Sequence, residues 1–401
     1  MSARSSAGPF LIVALGVTQV VGYGSLYYAF AVLAPRITES FGWAAEWTYG
    51  GLAIGLLVGG AVAPLSGRLI DRHGTCPVMA LGSLAAGLFL LLLAEARGIA
   101  GYLAAMIAVQ AVSTAVLYDA AFAALTQARG SGARRAISQL TLIGGFASTL
   151  FWPLTSHLLG SFDWRAILRI YAASQILLCV PLHAWLLPGR IRAELSGALP
   201  ERSTIAAETP VLSGVARRRA FILLALAFSL QGFVISAISV HLIGLLQGLG
   251  LAATAAVATG AMIGPSQVAG RLAEMLFGRR LEPVQTAWIA SLLMPVGLLL
   301  LLVGNLTAWI AGAFAIAFGI SMGLGSIVRG TVPLQLFGPV GYGATMGRLA
   351  MPGLAFRAAA PLAFAVILER AGPIPGTLLL ASMAACTALA FILLARVAAR
   401  G

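Results

Sequence analysis

The sequence predicts an all-α integral membrane protein of twelve transmembrane helices. Composition is the first observation behind this: 60% of the residues are apolar, only 9% are charged, and the mean hydropathy is +0.97. A water-soluble core cannot absorb that much apolar surface, whereas a bilayer can. The second is length. A spanning helix needs about 20 apolar residues, and stretches of that size recur at 10–34, 47–66, 77–94, 100–124, 137–160, 166–187, 220–246, 252–276, 284–304, 307–329, 345–368 and 376–397. The third is punctuation: the short separators collect Gly, Pro, Arg and the acids, as helix ends do.

The chain has no lysine, so all 25 basic residues are arginine. With twelve spans both termini fall on one side. That side collects 19 arginines against 6 acids, and the opposite side 5 against 5. The positive-inside rule makes the arginine-rich side cytoplasmic. The net charge of +13 and pI near 10.9 thus read as topology, and a nucleic-acid partner is not expected, because the arginines flank spans and form no binding motif. Residues 1–8 are polar, and the first apolar stretch is too long for a signal-peptide core, so it is expected to be the first span. Cys76, Cys179 and Cys386 are far apart and show no metal-ligand spacing, so no cofactor or metal is expected.

The one long polar stretch, 188–219, divides the spans six and six. The expected organisation is a six-helix bundle over 1–187, a cytoplasmic linker over 188–219 and a second bundle over 220–401. A repeated signal supports duplication. After the second span the chain reads Gly67-Arg68-Leu69-Ile70-Asp71-Arg72-His73-Gly74. After the eighth it reads Gly270-Arg271-Leu272-Ala273-Glu274-Met275-Leu276-Phe277-Gly278. Both copies are Gly-Arg-Leu-x-acid at the end of an even span, which suggests two pseudo-symmetric halves.

The first copy resembles the loop 2–3 signature of the major facilitator superfamily, and the span count and degenerate second copy extend the resemblance over nearly the whole chain. It implies two pseudo-symmetric six-helix bundles that work by alternating access. It also implies a cytoplasmic gate motif made of Gly67, Arg68, Asp71, Arg72 and Gly74 with Gly270, Arg271 and Glu274. In the family the acid of this loop caps the start of span 11. Here Asp71 takes that role with Arg68 and Arg72 as expected partners, and the second copy, with Met275 for the arginine and a late glycine, is expected to form a weaker lock. The resemblance places spans 1, 4, 7 and 10 around the central cavity.

Polar residues in those spans are the candidate substrate and coupling residues. Gln19, Tyr23 and Tyr27 recur every four residues, as do Gln110, Thr114 and Tyr118, so each set shares one helix face. Asp119 is an acid inside a span and a candidate proton carrier. A continuous helix would turn it about half a turn away from Gln110. Gln231 lies mid-way along span 7. His157 and His241 read as interfacial histidines. Arg357 is the strongest candidate: it sits mid-way along span 11, where a charge costs at least about 2.5–3.5 kcal/mol to insert. The superfamily's monocarboxylate and oxalate porters hold a substrate carboxylate with midplane cations, one of them in span 11, and bidentate guanidinium pairing explains why. Their second cation, in span 8, has no counterpart in Gly264-Pro265-Ser266-Gln267, and Arg271 belongs to the repeated motif.

The expected function is a non-enzymatic, proton-coupled secondary transporter of a small solute, with a small organic anion as the class Arg357 suits. It is expected to be a multi-pass monomer in the lipid bilayer of the inner (plasma) membrane, with both termini cytoplasmic. The spans around Tyr27-Tyr28 and Tyr118-Asp119 also resemble a branch linked to arsenite efflux, so efflux of arsenite or drug-like compounds stays open. A membrane-embedded enzyme would need clustered His, Cys or acids, and a passive channel would not need the two-bundle repeat.

Overall fold

In a computed structural model of the chain, residues 3–129, 132–186, 212–278 and 281–400 are described, and among them no strand occurs. The helices are α1 (Phe10–Phe41), α2 (Ala45–His73), α3 (Thr75–Ala94), α4 (Ile99–Arg129), α5 (Ala133–Leu158), α6 (Trp164–Ala184), α7 (Gly214–Gly248), α8 (Ala253–Phe277), α9 (Pro283–Leu300), α10 (Ala308–Phe337), α11 (Tyr342–Ala371) and α12 (Pro373–Ala399). Eleven of these are long and apolar enough to cross a bilayer. The remaining one, α8, is 25 residues long. Its sequence is diluted by Ala, Gly and Thr and carries Arg271 and Glu274. The predicted linker lies outside the described residues up to position 211, and α7 already begins at Gly214.

Two units emerge from the packing. One holds residues 1–209 with 338–351, the other 210–337 with 352–401. The division in α11 falls at Pro352, where the ring removes a helical N–H. The helix pairings within the second unit repeat those of the first six helices further on. In the first unit α2 packs on α4, α3 on α4 and α3 on α6; in the second α8 packs on α10, α9 on α10 and α9 on α12. Each unit has its own buried core. That of the first includes Leu26, Leu33, Tyr102, Trp164 and Tyr171, and that of the second Leu298, Phe314, Phe318, Phe364 and Leu380.

Helix ends follow local chemistry. Asp163 caps α6, its carboxylate accepting the Ala166 N–H at 2.7 Å. Glu282 and Gln285 form a capping box at the start of α9, with Pro283 inside it. Gly74 separates α2 from α3 at φ +84°, a conformation that side-chain-bearing residues avoid.

Four helices of the first unit are interrupted: α5 turns at 145–146, α6 carries a π-turn at Gln175–Cys179, and α1 and α4 bear on the candidate site. In α4 the regular ladder stops at Ser113 and resumes at Tyr118. The Ser113 hydroxyl donates to the Gln110 carbonyl at 2.7 Å, and that of Thr114 to the Ala111 carbonyl at 2.8 Å. Such back-bonding competes with the backbone ladder and bends helices. In α1 a π-turn, Gly24–Tyr28, inserts one extra residue, and the bare face of Gly24 receives the Phe151 ring.

Candidate functional site

The first unit brings the gate motif to the start of α11. The Asp71 carboxylate accepts the N–H groups of Gly343 at 2.9 Å and Ala344 at 2.7 Å. Both amides lie in the first turn of α11, where N–H groups lack intrahelical partners and the dipole favours an anion. The approach requires bare backbone on both sides: a Cβ on Gly67 would lie 2.0 Å from the Gly343 oxygen, and one on Gly347 would lie 2.2 Å from the Ala63 oxygen. Arg68 and Arg72 are exposed and make no ion pair with Asp71. This corrects the expected partnership: the carboxylate is turned onto the start of α11, while the two arginine side chains are exposed.

The second copy of the motif is built differently. Both copies lie in the last turns of their helices, α2 ending two residues after Asp71 and α8 three after Glu274, but the two arginines differ in their surroundings, Arg68 being exposed and Arg271 buried. Arg271 and Glu274 are 6% and 8% exposed. Arg271 donates from Nε to the Ser326 hydroxyl at 3.0 Å, its Nη2 reaches Gln267 Oε1 at 3.5 Å, and its buried Nη1 has no hydrogen-bond partner among the described residues. The glycines of α10 are packing surfaces here. A Cβ on Gly323 would meet the Gln267 carbonyl at 2.3 Å, so α8 and α10 cross backbone to backbone.

Arg357 is half-buried and is the sixteenth of the 30 residues of α11. Its guanidinium has no hydrogen bond or ion pair among the described residues. Pro361 cannot donate to the Arg357 carbonyl, as an ordinary residue four positions on would. The Ser236 hydroxyl of α7 supplies that donor at 2.9 Å, and His241 Nε2 donates to the Pro361 carbonyl at 2.9 Å. The Arg357 stem lies on Gly232, whose absent Cβ would be 3.2 Å from Cγ. The preceding residue, Gln231, is buried and lies over Gly325, the neighbour of Ser326. Arg357 thus packs against α7, Gln231 against α10, and Arg271 bonds α8 to α10, all within the second unit.

The remaining candidates gather in the first unit. Gln19 is fully buried; its amide donates to the Val116 carbonyl at 2.9 Å, while its Oε1 has no hydrogen-bond partner among the described residues. Gln110 is 3% exposed and donates to the Leu26 carbonyl at 3.1 Å. Tyr23 packs on Tyr118 with ring centroids 4.7 Å apart, and Tyr118 stacks on Phe122 at 5.2 Å. Past the π-turn, Tyr27 is 38% exposed and meets Tyr28 rather than Tyr118. Tyr28 in turn stands edge-on to Trp152 at 5.9 Å. Asp119 is half-buried and, with Thr114, Gly67, Gly343 and Gly347, lines a cavity of about 10 Å³, room for one water. The continuous-helix phase that turned Asp119 away from Thr114's face does not apply, because α4 breaks between them.

One polar node has no signature in residue spacing. His183 on α6 is 1% exposed and bonds Ser83 on α3 and Thr18 on α1, each at 3.0 Å, while the Cys76 thiol donates to its carbonyl. Thr18 donates to the Leu15 carbonyl, so His183 Nε2 is the donor toward Thr18. The node joins three helices distant in sequence.

Residues 15–351 match the family model of the Major Facilitator Superfamily. The chain belongs to the major facilitator superfamily. It is 29% identical to mouse monocarboxylate transporter 11 over 355 residues, which cover 86% of this chain and 70% of that protein. Among solved structures it is similar to the human organic anion transporter MFSD10 (TETRAN), with a TM-score of 0.68, 19% identity and coverage of 97% and 99% of the two chains. It is also similar to the major facilitator transporter FucP in the outward conformation, with a TM-score of 0.66, 14% identity and coverage of 98% and 99%. At these identities the two structures speak for the fold. This superfamily member is a multi-pass membrane protein, and membership implies transport of a small solute.

Proposed function

We propose that the chain moves small organic anions, monocarboxylates foremost, across the inner membrane by proton-coupled alternating access. The observation that carries this reading is the Arg357 guanidinium, held half-buried mid-way along a spanning helix with no acidic partner among the described residues. An unpaired charge at that depth is costly, and a carboxylate ligand would remove the cost through charge-assisted hydrogen bonds. Arg271 is a second buried cation of the same unit, with an Nη1 that has no hydrogen-bond partner among the described residues. The likeness to a monocarboxylate transporter by sequence points the same way. Tyr23, Tyr28, Tyr118 and Trp152 offer an amphipathic surface for the substrate's carbon skeleton. Asp119, beside the Asp71 latch, is the proposed proton carrier, and arginine placement favours cytoplasmic termini.

The test is proton uptake by proteoliposomes holding the purified protein in a pH-sensitive dye. On addition of short monocarboxylates the wild type is expected to acidify the lumen, and Arg357→Ala to abolish the signal. Arsenite- or drug-driven flux that is indifferent to Arg357 would overturn the anion assignment and favour an exporter.

A further inference from the structure

We propose that the second unit binds an anionic phospholipid in a groove between the start of α7 and the end of α12. The groove has a volume of about 610 Å³, within the roughly 300–1,000 Å³ typical of ligand sites. Its floor is Ile222 and Leu223 from α7 with Leu393 and Val397 from α12, and the guanidiniums of Arg219 and Arg396 stand at its arginine-rich end. The register explains the arrangement. Arg219 and Leu223 are four residues apart on α7, and Leu393 and Arg396 three apart on α12, so each arginine shares a face with an apolar residue about one turn closer to the bilayer centre.

Charge complementarity selects the occupant. Both arginines are exposed and have no hydrogen-bond or ion-pair partner among the described residues. Arg217, two positions before Arg219, is engaged differently, lying over the Phe337 ring at 5.2 Å. Neither α7 nor α12 contains an acid. Two unneutralised guanidiniums over an apolar floor suit a phosphodiester with an acyl chain beneath it. A zwitterionic headgroup would bring its own cation against the pair. A soluble phosphate would leave the apolar floor unused, so the site is assigned to an anionic lipid.

The experiment uses the full chain in detergent, with bound lipid counted by native mass spectrometry during titration. The probes are phosphatidylglycerol, phosphatidylcholine and glycerol phosphate. Phosphatidylglycerol is expected to bind at least about tenfold more tightly than phosphatidylcholine, since each surface arginine is worth roughly fivefold in affinity for anionic lipid. Arg219→Gln with Arg396→Gln is expected to abolish that preference, and Arg217→Gln to keep it. Should the double variant not fold, Leu393→Trp, which fills the groove, is expected to weaken both lipids. Equal binding of the two lipids, binding of glycerol phosphate as tight as that of phosphatidylglycerol, or unchanged affinity in the double or tryptophan variant would overturn the proposal.

Discussion

Gln19 and Gln110 hold α1 and α4 together by reciprocal bonds, each donating its amide to a carbonyl in an irregular segment of the other helix. Gln19 reaches Val116 in the break of α4, and Gln110 reaches Leu26 in the π-turn of α1. An unsatisfied backbone group inside a bilayer is costly, so a glutamine donor at each irregular segment favours it.

Replacing either glutamine by leucine is expected to lower stability by about 1 kcal/mol, the scale of an interhelical hydrogen bond in membranes. Thermal unfolding in detergent reads this. A change confined to KM, with unfolding unmoved, would instead mark the glutamines as substrate contacts.

Asp71→Ala removes the acceptor for two first-turn amides of α11 and is expected to cost about 1 kcal/mol, as loss of a helix cap does. Asp71→Asn should retain part of that stability while losing the charge–dipole term. The two variants are compared by unfolding midpoint and by initial transport rate, and equal stability of wild type and Asp71→Ala would dismiss the latch as a structural element.

Gly67→Ala places a methyl group 2.0 Å from the Gly343 oxygen, so the α2–α11 crossing must open. Transport is expected to fall by an order of magnitude or more, with a destabilisation of about 1–3 kcal/mol from overpacking. An active Gly67→Ala protein of normal stability would show that the close approach is dispensable.

Gly232→Ala meets the Arg357 stem at 3.2 Å, a contact that a flexible side chain can yield to. The expected outcome is a several-fold rise in KM at nearly unchanged expression and unfolding temperature, read from uptake kinetics. An unchanged KM would separate Gly232 from the anion site.

Much of this was legible in the chain. Hydropathy places eleven of the spans, because bilayer thickness fixes their length, and the Gly-Arg-Leu-x-acid repeat announces the duplication. Other features need the fold. The string around Arg271 looks like that around Arg68, yet Arg271 is buried against Gln267 and Ser326 while Arg68 is exposed, because α8 packs closely on α10. Four-residue spacing misplaces Tyr27 and Asp119, since a π-turn and a broken ladder shift the phase. The Gln19–Gln110 exchange is invisible to any single-helix reading, because each bond depends on a defect in the other helix. His183 escapes notice for a similar reason: its partners come from two other spans, α1 and α3.

The most direct test of the central claim is counterflow of a labelled short monocarboxylate into proteoliposomes preloaded with the unlabelled compound, for wild type, Arg357→Ala and Arg357→Lys. The account predicts transient, saturable accumulation in the wild type, partial retention with lysine and none with alanine. Counterflow by Arg357→Ala equal to wild type, or carboxylate entry that never saturates and shows no overshoot, would contradict it.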